Sequence, residues 1–239
     1  QMLYDIVRKL PDGSEVLLAI DPEGSALKVH AGRSRFTLQM LPESDFPDIT
    51  AGEFTHTFRI PAKSLAGLIE HTQFAISTEE TRYYLNGIYL HSVVEGGDLF
   101  LRAVATDGHR LARTQIEAPS GCEGMPGVIV PRKAVGEIQK LVENPDSTVT
   151  IELSETKIRI TVGQVILTSK LIDGTFPDYN RVIPSGNDKE LVMDRATFAS
   201  AVDRVSTISS ERGRAVKLQL SDGALVLTVN NPDSGSATE

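Results

Sequence analysis

The side chains best suited to chemistry lie in the stretch VATDGHRLA at residues 104–112. It contains Asp107, His109 and Arg110, and a His close to an Asp can act as a general base. The sequence supplies no matching nucleophile, and Asp-Gly is an ordinary turn signal between two strand-like runs. We therefore interpret the stretch as the tip of a hairpin. An enzyme built on αβ repeats that uses His109 and Asp107 is kept as an alternative.

Signatures of metal and cofactor binding are missing from the sequence. The five His residues show no metal-ligand spacing, and neither GxxxxGKS/T nor GxGxxG occurs. Cys122 is the single cysteine, which excludes an internal disulfide and fits a reducing cytoplasm. We expect no metal, no cofactor and no catalytic residues.

Composition favours a soluble, cytoplasmic, globular protein. Of the 239 residues, 40% are hydrophobic and 23% are charged, which is ordinary for a chain with a buried core. No apolar run approaches the roughly 20 residues that a membrane-spanning helix needs. The formal net charge of −8 argues against a protein coated in positive charge, but it says nothing about where the cations lie.

A recognition surface is the more promising use of the hairpin loop. The stretches RYYLNG at 82–87, TDGHRL at 106–111 and FPDYNRV at 176–182 each place apolar or small residues next to cations. An apolar groove rimmed by Arg and His would hold a short peptide with hydrophobic anchors. From composition alone, Leu85 and Leu111 are better explained as core residues.

Two repeated units organise the elements around this loop. FPDI at 46–49 and FPDY at 176–179 close a first-type unit, which reads helix, breaker and three strands, at residues 1–49 and 131–183. In the first copy the predicted strands are EVLLAI, ALKVHA and RFTLQML, and in the second copy they are TVTIEL, KIRITV and VILTSKLI.

A second-type unit alternates with the first. At residues 54–114 it reads as the strand TFRI, a helix that begins at Pro61, and further strands; the predicted apolar stripe of this helix is Leu65, Leu68, Ile69 and Phe74. At 190–231 it reads as the strand ELVM, a helix capped by Asp194, and the strands AVKLQL and ALVLTVNN. The glycine-rich GCEGMPG at 121–127 reads as a linker.

The alternation predicts one complete domain between two partial ones. The boundaries are 1–52 for the second half of a first domain, 53–180 for a complete domain, and 181–239 for the first part of a third. The chain then corresponds to a fragment of a longer repetitive protein. Accidental similarity of two αβ units remains the alternative.

Cations recur on the predicted helices, opposite the apolar stripes. They are Arg8, Lys9, Lys63, Arg132, Lys133, Lys140, Arg195 and Arg204. If the helices face one way, this surface would bind phosphates without reading bases. An ordinary solvated helix face is the alternative for any single helix.

Five segments together resemble the bacterial beta sliding clamp, the beta subunit of DNA polymerase III. They are RYYLNGIYL, VATDGHRLA, VIVPRKAV, SKLIDGTFPDYNRVIP and NNP. The resemblance runs over essentially the whole chain. It implies an α+β fold of repeated clamp-type domains, each with two helices packed on antiparallel sheets. In the family, two chains join head to tail in a ring around duplex DNA.

The resemblance also assigns residues. The implied peptide-binding groove comprises Leu85, Thr106, Gly108, His109, Arg110, Leu111, Pro177, Arg181 and Val182, which displaces the core interpretation of Leu85 and Leu111. The implied DNA-facing cations are Arg8, Lys9, Lys63, Arg82, Arg132, Lys133, Arg195 and Arg204. Dimer contacts are predicted at Phe36, Leu38 and Ile208. The loop STEET at 77–81 is acidic, which argues against DNA contact there.

The function implied by the resemblance is that of a non-catalytic processivity factor. The groove would receive the clamp-binding motif of the replicative polymerase, the clamp loader and repair proteins, and the full-length chain would be a homodimer. An interaction module that does not bind DNA is a further alternative from a different class.

Overall fold

The computed structural model describes residues 1–45, 52–209 and 215–239. The phrase FPDI at 46–49 lies outside these residues. The chain divides into two compact units, Gln1–Pro177 and Asp178–Glu239. None of the helices in the described part of the chain has the length and apolar character that crossing a bilayer would require.

The first unit contains three α-helices and eleven strands among its described residues. The helices are α1 (Met2–Val7), α2 (Ala62–Glu70) and α3 (Arg132–Leu141). The strands are β1 (Leu17–Ile20), β2 (Ala26–Ala31), β3 (Ser34–Gln39), β4 (His56–Pro61), β5 (Gly87–Glu95), β6 (Asp98–Thr106), β7 (Leu111–Glu117), β8 (Val128–Pro131), β9 (Thr148–Leu153), β10 (Lys157–Val162) and β11 (Val165–Lys170).

The two halves of the central region exchange strands. One four-stranded antiparallel sheet has the order β11-β10-β9-β4, so a strand from the first half completes the sheet of the second. The other has the order β7-β6-β5-β8, in which β8 from the second half pairs with β5. The central region is therefore a reciprocal assembly rather than two independent halves in sequence.

The same exchange satisfies the first amides of the two central helices. Each helix follows directly on an exchanged strand, and Pro61 and Pro131 stand at the N-caps without a side-chain cap. The amide of Ala62 donates to the carbonyl of Ser147 at 2.8 Å, and the amide of Arg132 donates to the carbonyl of Asn86 at 2.9 Å. Each helix start is thus held by backbone from the opposite half.

A single apolar core lies between these sheets and helices. Helix α2 contributes Leu65, Leu68 and Ile69, and α3 contributes Val135 and Ile138. The strands add fully buried side chains, which include Phe58, Ile60, Leu101, Val149, Ile151, Leu153 and Ile160. The predicted packing of helices on antiparallel sheets is confirmed in this region.

Residues 1–45 form a smaller sheet with the order β1-β2-β3. Helix α1 has no buried residue, and Leu17, Leu18 and Ile20 of β1 are more than half exposed. Val29 of the middle strand β2 is fully buried.

The second unit contains one α-helix, α4 (Arg195–Ser206), and three strands within its described residues, β12 (Lys217–Ser221), β13 (Ala224–Asn231) and β14 (Gly235–Thr238). The strands form an antiparallel sheet in chain order. Val205 of the helix packs with Leu227 and Val229 of the sheet. Asp194 caps α4 as predicted, because its carboxylate accepts a hydrogen bond from the amide of Thr197 at 2.7 Å.

Two sequence predictions of local structure are wrong. Phe74 does not belong to α2 but lies in a short 3-10 helix, Gln73–Ala75, and the residue is 56% exposed. The segment ELVM at 190–193 forms no strand. The predicted linker at 121–127 contains no helix or strand, and β8 begins directly after it at Val128.

Candidate functional site

The turn between β6 and β7 is held in one conformation by its own side chains. Asp107 Oδ1 accepts hydrogen bonds from the amides of His109 at 2.9 Å and Arg110 at 3.0 Å. Thr106 Oγ1 donates to the carbonyl of Arg110 at 2.7 Å and accepts from the amide of Gly108 at 3.1 Å. Gly108 has φ of +88°, in the left-handed region that favours glycine. The predicted hairpin tip is confirmed.

The carboxylate of Asp107 is committed to the turn. Burial raises the pKa of Asp107, but the amides of Arg110 and His109 and the Arg110 side chain outweigh this and lower the pKa below its ordinary value. Its other oxygen accepts from Arg110 Nε at 3.0 Å. Asp107 therefore binds the backbone amide of His109 and shapes the loop, which gives no support to a catalytic Asp–His pair.

A second arginine lies against the same turn. Arg82 Nε donates to Glu79 Oε2 at 2.8 Å, and Arg82 Nη2 contacts the other oxygen of the same carboxylate. A Cβ atom placed on Gly108 would lie 2.5 Å from Arg82 Nη1. The hydrogen bond from Arg82 lowers the pKa of Glu79, and the same bond raises the pKa of Arg82. This places Arg82, predicted to face DNA, beside a predicted groove residue.

The side chain of Arg110 is held on two sides. Besides its bond to Asp107, its guanidinium carbon lies 5.8 Å from the centre of the Phe74 ring, a cation–π distance. Phe74 is thus an exposed aromatic residue next to the predicted groove. Sequence reasoning missed it because its spacing after Ile69 fits the stripe of a longer helix.

The apolar groove residues of the first unit differ in exposure. Leu111 and Thr106 are half-buried, and Pro177 is exposed. Leu85 is only 4% exposed, so very little of its surface is accessible to a ligand. The core interpretation of Leu85 from composition thus agrees with its burial, whereas Leu111 and Pro177 present accessible apolar surface beside the turn or at the end of the unit.

Two predicted groove residues belong to the second unit. Arg181 and Val182 lie in a short 3-10 helix, Tyr179–Val182, whose N-cap Asp178 accepts a hydrogen bond from the amide of Asn180 at 3.2 Å. Both side chains are exposed, and Val182 has 68% of its surface accessible.

Comparison with known sequences decides the family. Residues 59–178 match the sequence model described as DNA polymerase III beta subunit, central domain. Residues 1–50 match the N-terminal domain of the same subunit, and residues 180–239 match its C-terminal domain. The chain belongs to the DNA polymerase III beta subunit family.

Curated relatives of this beta subunit family carry the name beta sliding clamp. The protein from Caulobacter vibrioides is 52% identical over 237 residues, which are 99% of this chain and 64% of the relative. The protein from Escherichia coli K12 is 41% identical over 238 residues, or 99% of this chain and 63% of the relative. The chain therefore spans slightly under two thirds of the length of these relatives.

Solved beta subunits share the fold. A DnaN sliding clamp from Bartonella birtlesii bound to griselimycin is 62% identical, with a TM-score of 0.86 over 100% of this chain and 63% of the other. A Caulobacter crescentus beta sliding clamp with polyethylene glycol bound to its putative beta-motif tethering region is 52% identical, with a TM-score of 0.88 and the same coverage. The chain has the α+β clamp-type fold that the resemblance implied.

The cations that the beta subunit resemblance assigned to DNA fall into two groups. Arg8 pairs with Asp5 at 3.5 Å, Arg82 with Glu79, and Arg204 with Glu239. The others are exposed and enter none of the ion pairs formed among the described residues; they are Lys9, Lys63, Arg132, Lys133 and Arg195. Lys63 lies on α2, and Arg132 and Lys133 lie in the first turn of α3, the helix that α2 contacts.

The predicted dimer residues are half-buried. Phe36 and Leu38 are two residues apart on β3 and therefore lie on the same face of the strand, and Ile208 follows α4. The carbonyl of Ile208 accepts a hydrogen bond from Asn231 Nδ2 at 2.9 Å, which fixes the backbone at that position within the second unit.

The described residues contain no cluster of His, Cys, Asp and Glu that could hold a metal ion. Cys122 is fully buried, and burial, with the nearby Glu123, raises the pKa of its thiol. Burial and a raised pKa both work against a reactive thiolate.

Proposed function

We propose that this chain is part of a sliding clamp, a non-catalytic processivity factor that encircles duplex DNA and tethers the replicative polymerase, clamp loader and repair proteins. The observation that carries the proposal is the hydrogen-bonded β6–β7 turn, which presents His109 and Arg110 beside accessible apolar surface in a chain of the beta subunit family.

The groove is proposed to bind peptides. Hydrogen bonds among residues 106–110 hold the turn in place, and a preorganised loop loses little conformational entropy on binding. Leu111 and Pro177 supply accessible apolar surface in the first unit. Arg181 and Val182 are proposed as groove residues on the family resemblance alone. The Bartonella relative binds griselimycin, and the Caulobacter crescentus relative has polyethylene glycol at its putative beta-motif tethering region. Those ligands support a binding site of this kind here.

The DNA contact is proposed to be diffuse and independent of sequence. Lys63, Arg132 and Lys133 are exposed on two contacting helices of an otherwise acidic protein. Such cations neutralise phosphates without reading bases, and screened contacts permit sliding. A closed ring then retains DNA by topology, and the groove raises the local concentration of the polymerase.

The domain boundaries and the assembly are also proposals. We infer a partial first domain at 1–52, a complete domain at 53–180 and a partial third domain at 181–239. In the full-length family chain a homodimer would close head to tail in the cytoplasm, with Phe36 and Leu38 on one surface and Ile208 on the other.

The experiment that tests the groove is a fluorescence-anisotropy titration of a clamp-binding consensus peptide against the 239-residue chain. We expect saturable binding, weakened about tenfold by His109→Ala and by Arg181→Ala, because groove anchors typically contribute more than 1 kcal/mol. Arg113→Ala is the matched control, since Arg113 is an exposed cation on β7 outside the predicted groove.

Loss of affinity only in the groove variants would support the proposal. Equal loss in Arg113→Ala would indicate a general charge effect, and absence of binding by the parent chain would reject the groove in this chain. The enzyme alternative instead requires turnover of a substrate that His109→Ala abolishes.

A further inference from the structure

The acidic loop before the groove contains an ion pair whose location indicates a role in selectivity. Glu79 and Arg82 are three residues apart, and two contacts join the planar guanidinium to the carboxylate. Bidentate pairs of this kind fix geometry more firmly than single contacts between point charges. The side chain of Arg82 is 30% exposed and that of Glu79 is 54% exposed, so a ligand in solution can reach both.

The pair lies on the face of the turn where glycine leaves space. Nη1 of Arg82 occupies the place that a side chain on residue 108 would fill. The guanidinium therefore belongs to the rim of the β6–β7 turn, and Glu79 neutralises it there.

We propose that Glu79 is a specificity-determining residue of the groove: it holds Arg82 against Gly108 and competes with acidic side chains of an incoming peptide for that guanidinium. This inference rests on the proposed peptide-binding function. A peptide carboxylate at this rim must displace Glu79 or remain beside it unpaired, whereas a neutral peptide makes no such demand. The chain therefore favours peptides whose residue at the rim is neutral over those in which it is acidic.

The other arginine of the turn supplies a useful contrast. Arg110 is held by Asp107, whose carboxylate also closes the turn, so that removing Asp107 would disturb the loop itself. Glu79 accepts from Arg82, and no hydrogen bond from the turn residues 106–110 to its carboxylate occurs in the described chain. Replacing Glu79 should therefore release Arg82 without unfolding the turn.

The test is a competition titration with two peptides that share the same apolar anchors and differ by Asp in place of Asn beside the anchors. We expect Glu79→Gln to tighten the Asp peptide about threefold relative to the Asn peptide, a small factor because exposed ion pairs are weak. The gain should shrink at high salt. Glu80→Gln, which removes the same charge from the next residue, should leave the ratio of the two affinities unchanged.

An Arg82→Ala background completes the cycle. Without the guanidinium, adding Glu79→Gln should no longer change the ratio of the two affinities. An unchanged ratio in Glu79→Gln alone, or an equal change in Glu80→Gln, overturns the proposal while leaving the groove intact. Failure of the parent chain to bind either peptide rejects the groove and the selectivity proposal together.

Discussion

The sheet that contains β9 and the sheet that contains β1 share the same repeated sequence pattern, yet their equivalent apolar side chains are buried to different extents. Leu18 pairs with Val29 across β1 and β2, and in the equivalent place Ile151 pairs with Ile160 across β9 and β10. Ile151 is fully buried, whereas Leu18 is 51% exposed.

The difference in burial between the two sheets comes from the strands and helices that pack against each of them. The sheet of β9 to β11 is completed by the exchanged strand β4 and is covered by helices of a shared core. No fourth strand pairs with β1, β2 and β3 within residues 1–45, 52–209 and 215–239. An apolar pattern thus specifies a strand locally, but the opposite half of the domain determines whether that strand is buried.

The largest predicted effect compares the two equivalent positions directly. Ile151→Ala should lower the free energy of unfolding of the central region by about 3 kcal/mol, because it leaves a cavity in a packed core. Leu18→Ala should cost less than about 1 kcal/mol, since half of its side chain is already in water. Urea unfolding followed by circular dichroism measures both, and hydrogen exchange assigns each loss to its sheet. Equal losses would mean that β1 is covered in solution.

A second prediction breaks the exchange itself. A Cβ on Gly87 of β5 would lie 2.2 Å from the carbonyl oxygen of Val130 on β8, so Gly87→Ala must push the exchanged strand away. We expect a loss of about 2 kcal/mol, as for other overpacked sites. The measurement is the midpoint of thermal unfolding.

Gly136→Ala is the control for that substitution. Gly136 lies in α3, and a Cβ there meets no heavy atom within 4 Å. The change should stabilise the protein by about 0.5–1 kcal/mol through helix propensity. If Gly87→Ala were as well tolerated as this control, β8 could not be fixed against β5 as described.

The smallest effect concerns how helices begin in the two units. The hydrogen bonds from Thr197 lower the pKa of Asp194, so its contribution to α4 is present above the ordinary Asp pKa and is lost as pH falls through the lowered value. The amide resonance of Thr197 should follow that titration. The amide of Ala62 in α2, bonded to the Ser147 carbonyl, should not. A flat Thr197 profile, or an Asp194→Asn variant that still titrates there, would contradict the assignment.

Sequence reasoning predicted the features that depend on neighbouring residues. The hairpin tip at 104–112 follows from Asp-Gly between apolar runs, and the start of α4 follows from Asp194. Such reasoning does not predict that β4 and β8 are exchanged, because the sequence of a strand does not specify which distant strand it pairs with. The existence of β8 as a strand could have been predicted, because VIVP before α3 repeats FRIP before α2, a short run that ends in proline.

At the predicted groove, too, sequence reasoning predicted the local structure but not the contacts between distant residues. Its turn was predicted from local sequence, but the contact of Phe74 with Arg110 and that of Arg82 with Gly108 arise from elements far apart along the chain. The burial of Leu85 likewise depends on the packing around it, and agrees with the interpretation from composition rather than with an open groove wall.

The exchange of strands between the two halves also determines when β4 can pair during synthesis on the ribosome. Phe58 of β4 pairs with Ile151 of β9, so β4 must wait until β9 has been synthesised. At about 5–20 residues per second, the wait is on the order of 5–20 s. During that time the nascent chain carries an apolar strand without its native edge, which makes the first half of the domain a substrate for chaperones and for pairing with other nascent chains.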